Sequence, residues 1–379
     1  PWIAYFQMLN TGTEQTRRWR ERFGFIHNQL THNDDILSVD YITAGFNEAH
    51  AIIASYEAPL LNWDRIRWRI SGLSSEFDAS ETFHGEEWNA GGEIIANVYQ
   101  NKELFVDVVA GLYRRNIMVE NTALAVRGKD DFLLPRVGID LEQREETFSI
   151  FGSVDMEWNC AGAANTDDDE VNKLGRLNSE NDWTVFHWRL LNTFYLDPWL
   201  MGDKWDSPSE EDHPNLTHEL VLNFSGQYSP DRLIPQAMFP VGGMYTVRGY
   251  PETVATGDSV MVGNIEYGYH LPRAFPVKSE PGEIFGKTFR WAPQRLYDQP
   301  DWDLVLRAFF DVAQFRNTGK LFTEQNKTLM GCGLGVELQM FKNVSIRCDW
   351  GFALEPFEAG RDDIKSGDNR FHLVGTFSF

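Results

Sequence analysis

Alternation of apolar and polar residues over about ten positions is the feature that most constrains this chain. In residues 370–379, phenylalanine and leucine fall on one side of an extended strand, and mainly polar residues fall on the other. Segments 344–354 and 328–340 repeat the pattern. Ordinary strands have about 5–6 residues, whereas tilted membrane-spanning strands need roughly 9–11. The pattern therefore predicts transmembrane β-strands.

Composition agrees with that prediction. Aromatic residues make up 14% of the chain, with 13 Trp and 27 Phe, yet mean hydropathy is −0.39. No run approaches the roughly 20 apolar residues of a spanning helix. A large soluble β-sandwich or propeller shares the short strands but does not usually need so many aromatics near strand ends. The composition favours a membrane β-barrel.

The alternation extends toward the N-terminus and predicts sixteen strands. An even number suits a closed barrel, which exposes no strand edge to lipid. The fold class expected is all-β, a transmembrane antiparallel β-barrel of 16 strands in a single domain over residues 1–379. The predicted strands are 1–9, 17–30, 35–46, 50–60, 65–77, 88–100, 104–119, 132–145, 147–158, 184–195, 217–228, 259–271, 304–315, 328–340, 344–354 and 370–379.

Connection lengths alternate between short and long, as at the periplasmic and extracellular ends of outer-membrane barrels. Two connections, 196–216 and 272–303, should be periplasmic and yet are long. They are either docking sites for periplasmic or lipoprotein subunits or structured insertions. The short connections are 61–64, 101–103, 145–147 and 341–343, and the long ones include 78–87, 120–131, 159–183, 229–258 and 355–369.

The net charge is −22, from 56 acidic and 34 basic residues. That balance disfavours a nucleic-acid partner, since no basic surplus is present to neutralise phosphates. The acidic runs Asp167–Glu170 and Glu210–Asp212 are interpreted as solvated loops. Cys332 and Cys348 would sit about 13 Å apart on paired strands, too far to bridge, so free thiols are expected.

One face of the strands carries charges of both signs, which would cost ~2–4 kcal/mol each near the centre of the lipid. These residues are predicted to line a lumen that is water-filled or plugged. An arginine ladder there would favour anions or an acidic passenger, whereas mutual salt bridging is the simpler interpretation. The residues are Arg65, Arg67, Arg69, Arg136, Asp140, Glu142, Arg144, Glu266, Arg307, Asp311, Glu337, Arg347 and Asp349.

Catalytic signatures are weak. The glycines of Gly331–Gly335 recur every second residue within a strand, whereas a nucleotide loop needs them in a strand-to-helix turn. The histidines show no metal-binding spacing, and no Gly-x-Ser-x-Gly motif is present. We expect no enzyme activity, no catalytic residues, no cofactor and no metal.

The long connection 229–258 carries Arg248 at the tip of a glycine-flanked turn. A charge in such a loop needs an acidic partner or water. Asp311 falls on the charged face of its strand and is the predicted partner, with Glu266 as a second candidate.

This loop and the strands after it resemble the sixteen-stranded outer-membrane protein-assembly and secretion superfamily. That superfamily includes the two-partner secretion (TpsB) transporters and the BamA-type insertases. The resemblance covers the whole chain and is strongest over 238–379. It is carried by Val241–Tyr250, Thr256–Asp258, Gly263–Tyr267, Phe309–Asp311, Gly331–Glu337, Asp349–Leu354 and the terminal Phe379.

The resemblance implies that loop 229–258 folds back into the lumen and that Arg248 pairs with Asp311 as a latch. Gly242, Gly243 and Gly249 would allow tight turns beside Tyr250. Glycines 331, 333 and 335 could leave room for the loop on the barrel wall.

The resemblance also implies a function in polypeptide translocation across the outer membrane. Asn10–Thr16 is similar to a first-loop segment of the two-partner secretion transporters, so a secreted exoprotein is the favoured client. A BamA-type insertase acting on nascent outer-membrane proteins is one alternative, and weak pairing of 1–9 with 370–379 would favour it. A passive pore or scaffold subunit is another. Family members carry periplasmic POTRA domains, so a signal peptide and POTRA domains are expected upstream of Pro1.

Overall fold

Sixteen antiparallel strands close into one barrel in this computed structural model, which describes residues 2–13, 16–46, 49–61, 63–80, 82–164, 167–208, 214–359 and 362–379. Glu210–Asp212 lies outside the described residues. All sixteen predicted strands are confirmed. They are β1 (Trp2–Leu9), β2 (Arg20–Asn28), β3 (Ile36–Thr43), β4 (Ala49–Leu60), β5 (Trp63–Ser80), β6 (Phe83–Asn101), β7 (Leu104–Asn121), β8 (Val126–Arg144), β9 (Phe148–Trp158), β10 (Thr184–Tyr195), β11 (His218–Tyr228), β12 (Ser259–His270), β13 (Trp302–Arg316), β14 (Lys327–Met340), β15 (Val344–Ala353) and β16 (Asn369–Ser378).

The alternation in sequence becomes two unlike faces of the barrel wall. Ile265 and Phe310 are 52% and 40% exposed, while the next residues in the chain, Glu266 and Asp311, are buried. Successive side chains of a strand point to opposite faces. One face is therefore apolar and suited to lipid, and the other carries the charges.

Two strand pairs are longer than the sequence predicted. Segments 78–87 and 120–131 were expected to be long loops, and that prediction was wrong: β5–β6 and β7–β8 continue through most of both segments. Ile117 and Val119 on β7 are almost fully buried in an apolar cluster with Leu233 and Ile234 of the long loop. This tertiary burial outweighs the polar composition that suggested loops.

Short elements occupy the other connections. Helices α1 (Asp168–Val171), α2 (Asp197–Met201) and α3 (Asp203–Asp206) lie in connections 159–183 and 196–216. Among the described residues, no helix is long and apolar enough to cross a membrane. Small hairpins form from Gly282–Ile284 with Lys287–Phe289 and from Phe357–Ala359 with Asp362–Ile364.

The two long connections on the short-turn side pack against each other. The Tyr297 amide donates to the carbonyl of Pro214 at 3.2 Å, and the Asn215 side chain donates to the carbonyls of Arg273 and Asp298. Connections 196–216 and 272–303 thus form one joint structure at that end of the barrel.

The cysteines match their prediction. Cys348 is in register with Val336, and Cys332 is in register with Phe352. All three cysteines, including Cys160, are free thiols.

The barrel closes where β1 meets β16. Their register runs from Tyr5–Ser378 to Leu9–Val374, shorter than that of any other pair of neighbouring barrel strands among the described residues. Backbone hydrogen bonds between Ala4 and Phe379 and from Asn10 to Leu373 extend it slightly. The seam is closed by main-chain pairing but is the barrel's shortest joint.

Candidate functional site: the Arg248 loop

Loop 229–258 joins β11 to β12 and packs against the charged face of the C-terminal strands. Val241, Val247 and Tyr250 are fully buried. They form an apolar cluster with residues of β12–β15 and of the 357–364 hairpin, including Val260, Val262, Ala313, Phe315, Leu329, Ala353, Phe357 and Ile364. This apolar burial contributes to holding the loop against the strands.

Glycines shape the loop as predicted. Gly242, Gly243 and Gly249 have φ values of 102°, 95° and 96°, in the region that residues with a Cβ rarely adopt. The strands Phe239–Val241 and Ala255–Gly257 pair across the loop base. The backbone between them can therefore turn sharply and bring Arg248 to the strands.

Arg248 binds Asp311 of β13 through three hydrogen bonds. The guanidinium donates Nε–H to Oδ2 and Nη2–H to Oδ1, both at 2.8 Å, and the Arg248 amide donates to Oδ2 at 3.0 Å. Asp311 is fully buried and Arg248 is 3% exposed. Planar two-point contacts of this kind are among the stronger hydrogen bonds in proteins.

The remaining guanidinium nitrogen serves two further carboxylates. Nη1 lies 2.6 Å from Glu266 Oε2 on β12 and 2.9 Å from Asp349 Oδ2 on β15. The guanidinium also lies 3.4 Å from the ring centroid of Phe309, a cation–π contact. Glu266 was predicted as a partner. Asp349 was predicted only as a wall residue, because its strand is distant from Arg248 in sequence.

Two wall arginines share these acids. Arg347 Nη2 lies 2.7 Å from Glu266 and 2.8 Å from Asp349. Arg307 bonds to Glu266 and to Glu337, the latter at 2.8 Å. The cluster therefore contains three arginines and four carboxylates, and Arg248 is the one cation that the loop supplies. We call Arg248, Arg307, Arg347, Glu266, Asp311, Glu337 and Asp349 the tip cluster.

The electrostatic balance favours a charged Arg248. Burial works against the charge, but hydrogen bonds and Coulombic attraction from Asp311, Glu266 and Asp349 raise the pKa of Arg248 above its ordinary value. Arg248 thus stays protonated in the buried cluster.

Close main-chain approach requires glycine on both surfaces. A Cβ on Gly351 of β15 would lie 2.6 Å from the Gly249 nitrogen, and one on Gly331 of β14 would strike the carbonyl of Arg248. Gly333 and Gly335 were also predicted to make room for the loop. Their nearest neighbours are instead Phe309 and Trp350 for the first and Asp349 for the second. Gly351 was missed.

Two polar side chains complete the docking. Asn264 Nδ2 donates to the carbonyl of Thr246 at 2.7 Å and to Asp311 Oδ1 at 2.8 Å, so it bridges loop and strand. The Tyr250 hydroxyl lies 2.6 Å from the Glu355 carbonyl and accepts from the Glu355 amide. Asn264 was not singled out from the sequence, because an asparagine in a strand carries no distinctive pattern.

The family model for the haemolysin secretion/activation protein ShlB/FhaC/HecB matches residues 1–264. The chain belongs to this family. The match covers the barrel from β1 through the first half of β12, and it agrees with an outer-membrane location for the sixteen-stranded fold. No curated protein sequence is significantly similar to the chain.

Solved barrels share this family fold at low sequence identity. CdiB from Escherichia coli aligns over 100% of this chain and 63% of its own length, with a TM-score of 0.72 and 13% identity. CdiB from Acinetobacter baumannii covers 100% and 60%, with a TM-score of 0.66 and 17% identity. BamA from Haemophilus ducreyi lacking POTRA domains 1–3 covers 100% and 70%, with a TM-score of 0.64 and 10% identity. The chain spans about three fifths of the length of the two CdiB chains.

The base of the loop of this ShlB/FhaC/HecB-family barrel is held by a second charged cluster. Arg176 of connection 159–183 makes a two-point contact with buried Asp258, at 2.6 and 2.9 Å. The Glu324 carboxylate accepts a hydrogen bond from Arg176 Nε at 2.9 Å. It accepts two more from Arg232, at 2.7 and 2.9 Å. We call Arg176, Arg232, Asp258 and Glu324 the base cluster. It ties three connections of the long-loop end together.

Burial raises the pKa of the Glu324 carboxyl, but hydrogen bonds from Arg232, the Leu321 amide and Arg176 outweigh it and lower the pKa to about 2. Glu324 therefore remains charged over the whole neutral and mildly acidic range. The sequence analysis included Asp258 only within Thr256–Asp258 and predicted no partner for it, because the members of the cluster come from three separate loops.

The arginine ladder of β5 is neutralised within the wall. Arg67 and Arg69 both bond to Glu57 of β4, and Arg69 also bonds to Glu93 of β6. Arg67 bonds to Asp34 at 2.9 Å. Arg65 is exposed. Mutual salt bridging thus accounts for Arg67 and Arg69 better than an anion-selective ladder does.

Proposed function

We propose that the charged face of the barrel encloses the lumen, that loop 229–258 occupies it, and that the protein exports a polypeptide client across the outer membrane in the manner of two-partner secretion. The observation that carries the proposal is one loop arginine, Arg248, held by three buried acids on three strands of a barrel from a secretion family.

The two faces of the barrel wall are assigned from the free energy of placing a charged side chain in lipid. Large apolar side chains such as Ile265 and Phe310 are exposed on the other face, where lipid would cover them. A charge on that side would cost ~2–4 kcal/mol at the bilayer centre. The face with Glu266 and Asp311 is therefore assigned to the interior, and the loop with it.

The latch role follows from the energetics of the tip cluster. Removing one partner from a buried ion pair costs about 3–5 kcal/mol, because the other charge stays buried and unpaired. Arg248 thus holds the loop in a defined position until a client displaces it. In the resting barrel the loop blocks the interior near β12–β15.

The outer membrane holds no nucleotide supply, so folding of the client outside the cell is the proposed source of driving force. The client is an unfolded exported polypeptide, and membrane lipid contacts the apolar face of the barrel wall.

The test is to co-express the full-length protein with a candidate large exoprotein and to measure export of that exoprotein. We expect the client in the medium only when the barrel is present, and we expect the client to co-purify with a stalled barrel. Export that continues at the same level without the barrel would overturn the proposal.

An insertase of the BamA type is the second candidate, and the short β1–β16 register favours it. Such a protein would open laterally at the seam. Depleting it would lower the amounts of many outer-membrane barrels, whereas depleting an exporter would lower one secreted client. A disulfide across Tyr5→Cys and Ser378→Cys should stop insertion and leave lumenal export intact.

A scaffold subunit is the third candidate. Connections 196–216 and 272–303 form one structure whose exposed aromatics include Trp199 at 80% and Phe285 at 94%. Exposed apolar residues of this kind suit a periplasmic or lipoprotein subunit. Stoichiometric co-purification of such a subunit, lost in a Phe285→Ser variant, would support this role.

A further inference from the structure

The outer ends of β4, β5 and β6 bring histidines and carboxylates together away from the Arg248 loop. The cross-strand register places His50 opposite Glu76 and Glu76 opposite Glu86. The next row places Asp78 opposite His84. Like charges directly opposite each other destabilise a sheet, so a cation between Glu76 and Glu86 would be stabilising.

These side chains lie on the apolar face of the wall, beyond its apolar band. Glu76 shares a face with Ile70, and Glu86 with Trp88, which are 52% and 39% exposed. Glu76 is six residues beyond Ile70 on β5, or about 20 Å at ~3.3 Å per residue. The group is therefore clear of the lumen and of the tip cluster.

His84 has carboxylates at both ring nitrogens. Nδ1 lies 2.8 Å from Asp78 Oδ1, while Nε2 lies 3.2 Å from Glu86 Oε1 and 4.0 Å from Glu76 Oε1. A carboxylate accepts hydrogen bonds but cannot donate them. These contacts would be satisfied by a proton on each ring nitrogen or by a metal ion at the Nε2 lone pair.

The arrangement matches a metal site with its supporting residues. Ligand atoms of Glu76, His84 and Glu86 all lie within 4.8 Å of one another. Tetrahedral zinc with bonds of ~2.0–2.1 Å needs ligand separations of about 3.3 Å, within reach of small side-chain rotations. Asp78 would hold the His84 tautomer, and His50 Nε2, 3.3 Å from Glu76 Oε2, would hold the Glu76 carboxylate.

We propose that Glu76, His84 and Glu86 bind a zinc ion, with water in the fourth position. The ion neutralises the facing carboxylates and joins β5 to β6 where the strands extend beyond the bilayer. Histidine spacing in the sequence gave no sign of this site, because its ligands come from two different strands, β5 and β6.

The test is zinc binding by the full-length, detergent-purified protein after chelator treatment, measured by calorimetry at pH 7.5. We expect one equivalent of zinc, a tetrahedral absorption spectrum on cobalt substitution, and weaker binding at pH 5.5 as the histidine is protonated. His84→Gln should abolish binding, and Asp78→Asn should weaken it roughly 10–100-fold.

His32→Gln is the matched control, since His32 is an exposed histidine in the β2–β3 turn, and it should bind zinc like the unaltered protein. Heat-modifiable migration shows that each variant has a folded barrel. The proposal is overturned if the unaltered protein takes up no zinc, if His84→Gln binds as tightly, or if calcium binds in place of zinc.

Discussion

The two ends of loop 229–258 are fixed by opposite charge arrangements. At the tip cluster, one loop arginine meets acids on three barrel strands. At the base cluster, arginines and acids from neighbouring connections neutralise each other, and Asp258 and Glu324 each receive an arginine from another connection. The tip therefore joins the loop to the wall, whereas the base joins connection to connection. The tip alone depends on a single residue of the loop.

The largest expected effect is that of Arg248→Ala. It leaves Asp311, Glu266 and Asp349 buried with fewer cations, at a cost of about 3–5 kcal/mol to the docked loop. Protease sites near Tyr245 should become accessible while the barrel still assembles. Arg248→Lys retains the charge but not the two-point contact with Asp311. The protease accessibility of its loop should therefore lie between that of Arg248→Ala and that of the unaltered protein. If the loop in Arg248→Ala is as well protected from protease as in the unaltered protein, the tip cluster does not fix the loop.

A steric change should give the next largest effect. Gly351→Ala places a Cβ against the main chain at Gly249 and should cost about 1–3 kcal/mol by overpacking. Gly152→Ala is the control, because its Cβ would find its nearest neighbours at 3.6 Å or more. We expect loop release in the first variant only, measured by the same proteolysis. Equal protection in both would mean that the loop does not lie against β15.

The base cluster should respond to acid. Folding lowers the pKa of Glu324 from 4.5 to about 2, so its stabilisation is complete above pH 4.5 and is lost as the pH falls through about 2. Connections 159–183 and 317–326 should become protease-accessible over that window. Glu324→Gln should expose them already at neutral pH and show no step near pH 2. A step of the same size in the variant would assign the acid response to another group.

The smallest effect is expected on the other side of the barrel. Arg69 is 39% exposed in its pairs with Glu57 and Glu93, and ion pairs with that much solvent contribute about 0–1 kcal/mol. Arg69→Gln should leave loop protection and export near normal. Loss of export as large as that in Arg248→Ala would show that charge anywhere on this face matters, and not the tip cluster in particular.

The fold could be predicted from the sequence because the alternation of apolar and polar residues is a local property, and each membrane strand repeats it. The same alternation placed Asp311, Glu266 and Asp349 on one face, and the motif around Arg248 supplied the pairing with Asp311. The outer extensions of β5–β8 were missed, since burial of Ile117 and Val119 under Leu233 is a long-range contact. The base cluster and the contact of Gly351 were not predicted for the same reason. Their partners are distant in sequence and follow no periodic pattern.

The most direct test of the latch is a double-mutant cycle on client export, normalised to folded barrel in the outer membrane. Arg248→Ala, Asp311→Ala and the double variant are compared with the unaltered protein. If the two residues act as one unit, each single variant loses most export and the double variant is no worse. Normal export by Arg248→Ala, or losses that simply multiply in the double variant, would contradict the account.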